Sequence, residues 1–244
     1  LLEGMYSAAA GMAAQQQRID ALANDMANIN TTGYKRVRVA FRDLLYSPTG
    51  QGAVKGVATG AGAAATMVGR GAAPGTMLDT GRTLDVALVG DGYLEVRDAK
   101  GKRMLTRDGS LQRLDNGRLV TSTGAYAGVT LPKGVDDKLV HIDPQGRVSD
   151  DTGRVFGQLR LVSVRAPEAL AAAGDNLFSP TAASGRPTVL RTGLTVRQSA
   201  LESSNVDMGT AMTDLIDAQR GYELTSKVIT TQDRLMEIAN GVKR

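Results

Sequence analysis

The side chains able to move a proton, hold a metal or attack carbon are few in this chain, and their placement argues against catalysis. His141 is the one imidazole and cysteine is absent, so thiol nucleophiles, thiolate metal sites and the paired imidazoles of most zinc centres are excluded. His141 stands in the alternating run Leu139-Val140-His141-Ile142, with no Ser-x-Gly element beside it and no orienting acid that the sequence identifies. A structural or surface histidine is expected there rather than a general base. Asp136-Asp137 and Asp150-Asp151 are paired carboxylates, yet both pairs adjoin turn residues. Neighbours on a strand point to opposite faces, so turn formation explains them without a shared proton. Gly69-Arg70-Gly71-Ala72-Ala73-Pro74-Gly75 carries the glycines of a phosphate loop but lacks the Gly-Lys-Ser/Thr that would hold the phosphates. Lys35-Arg36-Val37-Arg38 is too short a basic run for a phosphate groove and reads as a solvated face or a subunit contact. No catalytic residue, no metal ligand set and no cofactor is expected.

Composition narrows the class further. A chain of 244 residues with 42% hydrophobic content is able to bury a real core. Lys and Arg number 29 against 25 Asp and Glu, and with the signs interspersed the net charge of +4 is a small imbalance rather than a field that draws nucleic acid. Tryptophan is absent and aromatic residues make up 4%, so no ring platform for stacking is available. No run of about 18 uncharged apolar residues occurs, which excludes a spanning helix. The opening Leu1 to Gln17 lacks a basic n-region and is interrupted by Glu3, Gly4 and Gly11, so it is not expected to be a cleaved leader.

The elements that must position these residues fall into four zones, 1–46, 47–83, 84–200 and 201–244. In the first, Met5, Met12, Ile19 and Met26 recur at heptad spacing, with Ala8, Gln15, Leu22 and Ile29 three residues further on. This predicts a helix with an a/d seam, stopped at Asn30-Thr31-Thr32-Gly33 and followed by a strand-like Tyr34 to Val39. The second zone, with Gly50-Gln51-Gly52 and Gly60-Ala61-Gly62-Ala63-Ala64-Ala65, reads as an arm or linker with little area to bury. The third is a run of short strands. Asp91-Gly92, Asp108-Gly109 and Asn116-Gly117 are expected to supply the positive φ of hairpin turns, and Val155 to Val164 is the longest strand candidate. In the fourth, Met208, Leu215, Tyr222, Ile229 and Met236 are again one heptad apart, with Ala211, Ala218, Thr225, Gln232 and Ala239 as companions. Leu224, Val228, Leu235 and Ile238 form a second apolar row, and Ser203 to Asp207 offers capping residues.

The fold class expected is α+β, with long N- and C-terminal coiled-coil-forming helices flanking a central antiparallel β domain. Two readings of the seams stay open: they pair with each other within a monomer, or with helices of other copies. Gln15 in a core position and the many Ala and Met residues make the first seam thin, which favours full ordering only among many copies.

The run Ala23-Asn24-Asp25-Met26-Ala27-Asn28-Ile29-Asn30-Thr31-Thr32-Gly33-Tyr34-Lys35 closely resembles the N-terminal signature of the bacterial flagellar rod and hook family, A-N-N-L-A-N-x-N-T-x-G-[FY]-K. The matching positions are Ala23, Asn24, Ala27, Asn28, Asn30, Thr31, Gly33, Tyr34 and Lys35, while Asp25 replaces the common Asn and Met26 the common Leu. Asp85 to Tyr93 and Thr106-Arg107-Asp108-Gly109-Ser110 look like the family's β-domain core, and Ser204 to Asp207 with Gln219 to Lys227 like its C-terminal helix. The resemblance runs through essentially the whole chain in order. Within the family, Val39 to Tyr46 is closer to the F-x-D-L-L-Y segment of the distal rod branch than to the proximal one.

That resemblance implies a mechanical, non-enzymatic subunit of the basal body, lying outside the cytoplasmic membrane after unfolded export through the flagellar type III apparatus. The terminal helices would pack against those of neighbours as an inner tube, with the β body outside and the glycine-rich arm ordering against adjacent subunits. The partners implied are further copies in a helical homopolymer, neighbouring rod and hook subunits, flagellar ring proteins and the export apparatus, with no nucleic acid and no small-molecule substrate. Met5, Met12, Ile19, Leu22, Met26, Ile29, Met208, Leu215, Tyr222, Ile229 and Met236 are the expected assembly residues. A proximal rod or hook-type member of the same family is the alternative. A β-domain or peptidoglycan-active enzyme is the rival class, and no zone is left over to house one.

Overall fold

The computed structural model describes residues 2–44, 47–48, 58–59, 62–190 and 193–241. The chain is α+β, with a helix at each end, α1 (Leu2–Ala27) and α2 (Met208–Gly241), and antiparallel sheets between them. It divides into two compact units. The first comprises Leu1–Ala27, Val37–Val68 and Asp207–Arg244, and the second Asn28–Arg36 and Gly69–Val206.

In the first unit α1 and α2 pair with each other, antiparallel. The Gln232 amide lies over Gly4, the Thr225 methyl over Gly11 and the Gln15 amide over Gly221, and Arg18 meets Asp214 at 3.5 Å. The columns that face each other are therefore small and polar. Ala8, Ala14, Ala21, Ala211 and Ala218 are all buried in this contact unit, and glycine and alanine let two backbones approach closely. Heptad spacing repeats in every column of a helix, so spacing alone does not say which column faces the partner. The seam centred on Met5, Met12 and Ile19 is displaced by one residue, onto Gly4, Gly11 and Arg18 with the companions Ala8, Gln15 and Leu22. On α2 the facing column is Ala211, Ala218, Thr225 and Gln232.

Helix α2 starts where the capping residues place it. Asp207 Oδ1 accepts from the Thr210 N–H at 2.8 Å, and the Asp207 carbonyl accepts from Ala211 N–H. The strand Val37–Asp43 pairs with Ala63–Arg70, so part of the expected arm is a strand. Leu45 and Tyr46 of the F-x-D-L-L-Y segment, and 49–57 with 60–61 of the arm, lie outside the described residues.

In the second unit the largest sheet runs Ala171–Ala172, Leu177–Ser179, Arg103–Thr106, Tyr93–Arg97, Tyr126–Thr130, Arg118–Thr121 and Leu111–Arg113. Leu161–Ser163 attaches to Tyr93–Arg97 and carries Thr188–Val189. A three-stranded sheet is formed by Val140–Ile142, Arg147–Asp150 and Val155–Gln158. Val86–Gly90 pairs with Leu194–Gln198, and Met77–Asp79 with Ala200–Glu202. The main core packs Leu88, Leu94, Leu111, Leu119, Leu131 and Leu159, all essentially without solvent contact. Tyr93, Leu105, Val162, Val164 and Phe178 form a second cluster, with the Tyr93 and Phe178 rings edge to face at 5.8 Å.

Two strand expectations are corrected. Val155 to Val164 is not one strand: it splits into Val155–Gln158 and Leu161–Ser163, which belong to different sheets. The break falls at Leu159, which is buried in the core and whose N–H is taken by the Gly146 carbonyl. Nor does Asp91-Gly92 or Asp108-Gly109 close a hairpin, and neither glycine has a positive φ. They are glycines because of crowding, since a Cβ on Gly92 would meet Leu194 and the Val162 carbonyl, and one on Gly109 the Val86 carbonyl. Asn116-Gly117 does turn a hairpin, with Gly117 at φ +82°.

Candidate functional site

The residues with chemical potential resolve into surface and turn roles. His141 is exposed, and its Nε2 lies 2.5 Å from Asp151 Oδ1, an acid across the turn that sequence reading did not identify as its partner. Asp136 caps a short 3₁₀ turn through the Lys138 N–H, and Asp137 pairs with Arg113 at 2.9 Å. Asp150 accepts from the Thr152 hydroxyl and from the Thr152 and Arg154 N–H groups; those bonds, the hydroxyl foremost, hold its carboxyl below the usual range. The same five-residue turn, Asp-x-x-Gly-Arg/Lys with the Asp side chain accepting two backbone N–H groups, also closes at Asp98 and Asp143. Among the described residues no three His, Asp or Glu side chains are grouped to hold a metal ion, and no helix is long and apolar enough to cross a membrane.

The assembly candidates are distributed unevenly. Of the eleven, Leu22 is buried, while Met5, Met12, Ile19, Met26, Ile29, Leu215, Ile229 and Met236 are half-buried and Met208 and Tyr222 exposed. The second row on α2 is the more exposed one: Leu224 is 66% and Ile238 63% accessible, with Val228 and Leu235 close behind. A shallow groove of about 400 Å³ lies beside it, lined by Tyr222, Glu223, Ser226, Lys227 and Thr230.

The family-signature residues separate into two groups. Ala23, Asn24 and Ala27 are exposed on the last turns of α1, and Asn30 is exposed beyond it. Asn28 and Thr31 are half-buried and bonded to each other, the Thr31 hydroxyl donating to Asn28 Oδ1. Asp25, by contrast, is buried, and its Oδ1 accepts from the Val37 N–H at 3.0 Å, which ties the helix end to the strand after the turn. Gly33, Tyr34 and Lys35 are buried in the β unit. Gly33 turns at φ +66° with its N–H on the Glu202 carbonyl, while Thr32 donates its hydroxyl to Asp108.

At the centre of this region sits an ion cluster that sequence reasoning missed. Glu202 Oε1 accepts from Lys35 Nζ at 2.5 Å and from the Gly75 N–H at 2.9 Å, and Oε2 accepts from Arg107 at 2.9 Å. Lys35 also donates to the Ala73 carbonyl and Arg107 to that of Gly90, so the donors turned away from Glu202 are used too. Burial alone would raise the Glu202 pKa, but Arg107, Lys35 and the Gly75 N–H outweigh it and hold the carboxyl below its usual range. Burial, with Arg107 adding to it, brings the Lys35 ammonium below its usual value against the pull of Glu202. Two cations share the Glu202 carboxylate, and Asp91 adds a further pull on Lys35.

Sequence comparison bears on what such a molecule is. Residues 5–35 match the family described as flagella basal body rod protein, 87–150 the D1 domain of the flagellar hook proteins FlgE/F/G, and 197–242 the C-terminal region of flagellar basal body rod FlgEFG proteins. The chain is 38% identical to the flagellar basal-body rod protein FlgG of Agrobacterium fabrum, over 98% of both chains. It belongs to the flagellar basal-body rod family. FlgG of Caulobacter vibrioides is 36% identical, over 99% of this chain and all of that one, and the flagellar hook-basal body complex protein FlhP of Bacillus subtilis 31%, over the full length of both. The matched blocks coincide with α1 and the signature turn, with the central strands, and with the last strands and α2 of this rod-family chain.

Proposed function

We infer that this chain is a structural subunit of the flagellar basal-body rod, of the distal-rod type, which polymerises into a rigid tubular shaft that transmits torque for motility. The relatives named FlgG support the distal assignment. The observation that carries polymerisation is the unpaired apolar row Leu224, Val228, Leu235 and Ile238 on a helix whose other face is already occupied by α1. A helix of this kind repeats heterologous contacts from copy to copy, and contacts that do not close generate an open filament. The half-buried residues Met5, Met12, Ile19, Met26, Leu215, Ile229 and Met236 flank the intramolecular seam and would complete their burial, as coiled-coil neighbours, against other subunits.

On this reading 1–46 and 201–244 supply the axial helices, 84–200 the outer body, and 47–83 an arm that orders against adjacent subunits. The protein acts mechanically and catalyses nothing. It works outside the cytoplasmic membrane after export, in contact with its own copies, with other rod and hook subunits and with the rings. The match of 87–150 to a hook-protein domain and the likeness to FlhP favour a second reading, a proximal rod or hook-type subunit. Placing a tagged subunit relative to the basal-body rings separates the two. The assembly surface is tested by Ile229→Lys and Leu224→Lys, with sedimentable polymer and swimming as readouts; unchanged polymer and motility in both would remove this surface from assembly.

A further inference from the structure

Three stretches of the β unit, 33–36, 71–75 and 202–205, converge on one carboxylate. The side chain of Glu202 accepts from Lys35, Gly75 and Arg107, and its carbonyl accepts the Gly33 N–H. Around it the bonds are reciprocal. Asn205 donates its N–H to Tyr34, accepts that of Arg36 at its side-chain oxygen and donates its amide to Ala73. The Gly71 N–H goes to Arg36, and the Ser203 N–H to Thr76. Each stretch holds polar groups whose partners belong to another, and the Glu202 side chain and Asn205 each bond to both of the other stretches. Removal of the Glu202 charge would leave Lys35 and Arg107, both buried, without the carboxylate that bonds them both.

We propose that Glu202 is the keystone of a conformational clasp, by which 33–36, 71–75 and 202–205 order and open as one cooperative unit, together with the short ladder of Ala200–Glu202 on Met77–Asp79 and apart from the large sheet. All three stretches lie within the β unit. A sub-global opening of this kind is a recognised mode of native proteins, and here one ionic contact sets its equilibrium.

The clasp belongs to the single chain, and its test needs only the full-length monomer. Native-state hydrogen exchange is followed by NMR at rising urea below the unfolding transition. The amides of Gly33, Gly71, Gly75, Ser203 and Asn205 are expected to share one opening curve, below that of strand amides in 94–96 and 119–121. In Glu202→Gln the five should lose at least tenfold in protection while the strands keep theirs. Asp137→Asn, which removes the pair with Arg113, serves as the control and should leave the five unchanged. Five separate curves in the wild type, one curve common to the five and the strands, or full protection in Glu202→Gln would each overturn the clasp. A Glu202→Gln chain that fails to fold altogether would also overturn it, because the cluster would then be inseparable from the large sheet.

Discussion

Gly33 sits at φ +66°, and a Cβ there would stand 2.5 Å from the Arg107 carbonyl carbon. Backbone strain and a clash with main chain act together, so Gly33→Ala is expected to destabilise the fold by on the order of 1–3 kcal/mol. Urea denaturation measures this, and an unchanged midpoint would mean that the turn relaxes. Glu202 makes a pH prediction with a definite sign. Its folded carboxyl is held below the ordinary value of 4.5, so its contribution is complete above that value and is lost as pH falls through the lowered one. The wild-type urea midpoint should therefore fall more steeply below pH 4.5 than that of any folded variant lacking the Glu202 charge; parallel pH profiles would contradict it. The signature around Gly33 was legible in the sequence, but its acidic partner was not. Glu202 stands 167 positions from Lys35, in a strand of alternating pattern, and no local period marks a glutamate as buried.

At the scale of elements, the α1/α2 seam shows how far a heptad can be read. Spacing identified both helices and the companions Ala8, Gln15, Leu22, Ala211 and Ala218, yet it centred the seam on the bulkier neighbouring column. Size decided the matter, because the column that packs closest is the one with the least side chain. Ala218 has no solvent exposure, so Ala218→Leu should overpack the pair and cost roughly 1–3 kcal/mol, seen as lost helicity on heating. Gln15 and Gln232 are the seam's irregular members, each with a buried side-chain oxygen that has no hydrogen-bond partner among the described residues. An apolar side chain of equal length removes that liability, so Gln15→Met should raise the stability of the helix pair by about 1 kcal/mol; a lower melting temperature would show the amide to be needed. The turn at Asn116-Gly117 was legible, and its glycine has a positive φ. Turns were misread at Gly92 and Gly109, where close approach of another strand, invisible in the sequence, is what demands glycine.

For the whole molecule, stability and assembly are expected to be separable. Leu224 and Ile238 contribute little to the isolated chain because they are more than half exposed. Leu224→Lys should shift monomer stability by no more than ~0.5 kcal/mol while abolishing polymer, so calorimetry and sedimentation on one sample decide the matter. The family was legible from motif order; the division into two units was not, since each draws on segments from distant parts of the chain.

The antiparallel register that sets Gly4 beside Gln232 carries a kinetic consequence. Bringing those residues together in an unfolded chain means closing a loop of nearly the full length, whereas local hairpins such as the one turned at Asn116-Gly117 close within a few residues. Once Tyr34 and Asn205 are joined, the span left to search shrinks to the two helical arms, and each halving of a loop removes about 0.6 kcal/mol of closure entropy. The β strands should thus collapse first and the two helices zip last, so that refolding after dilution from denaturant gains strand signal ahead of helical signal.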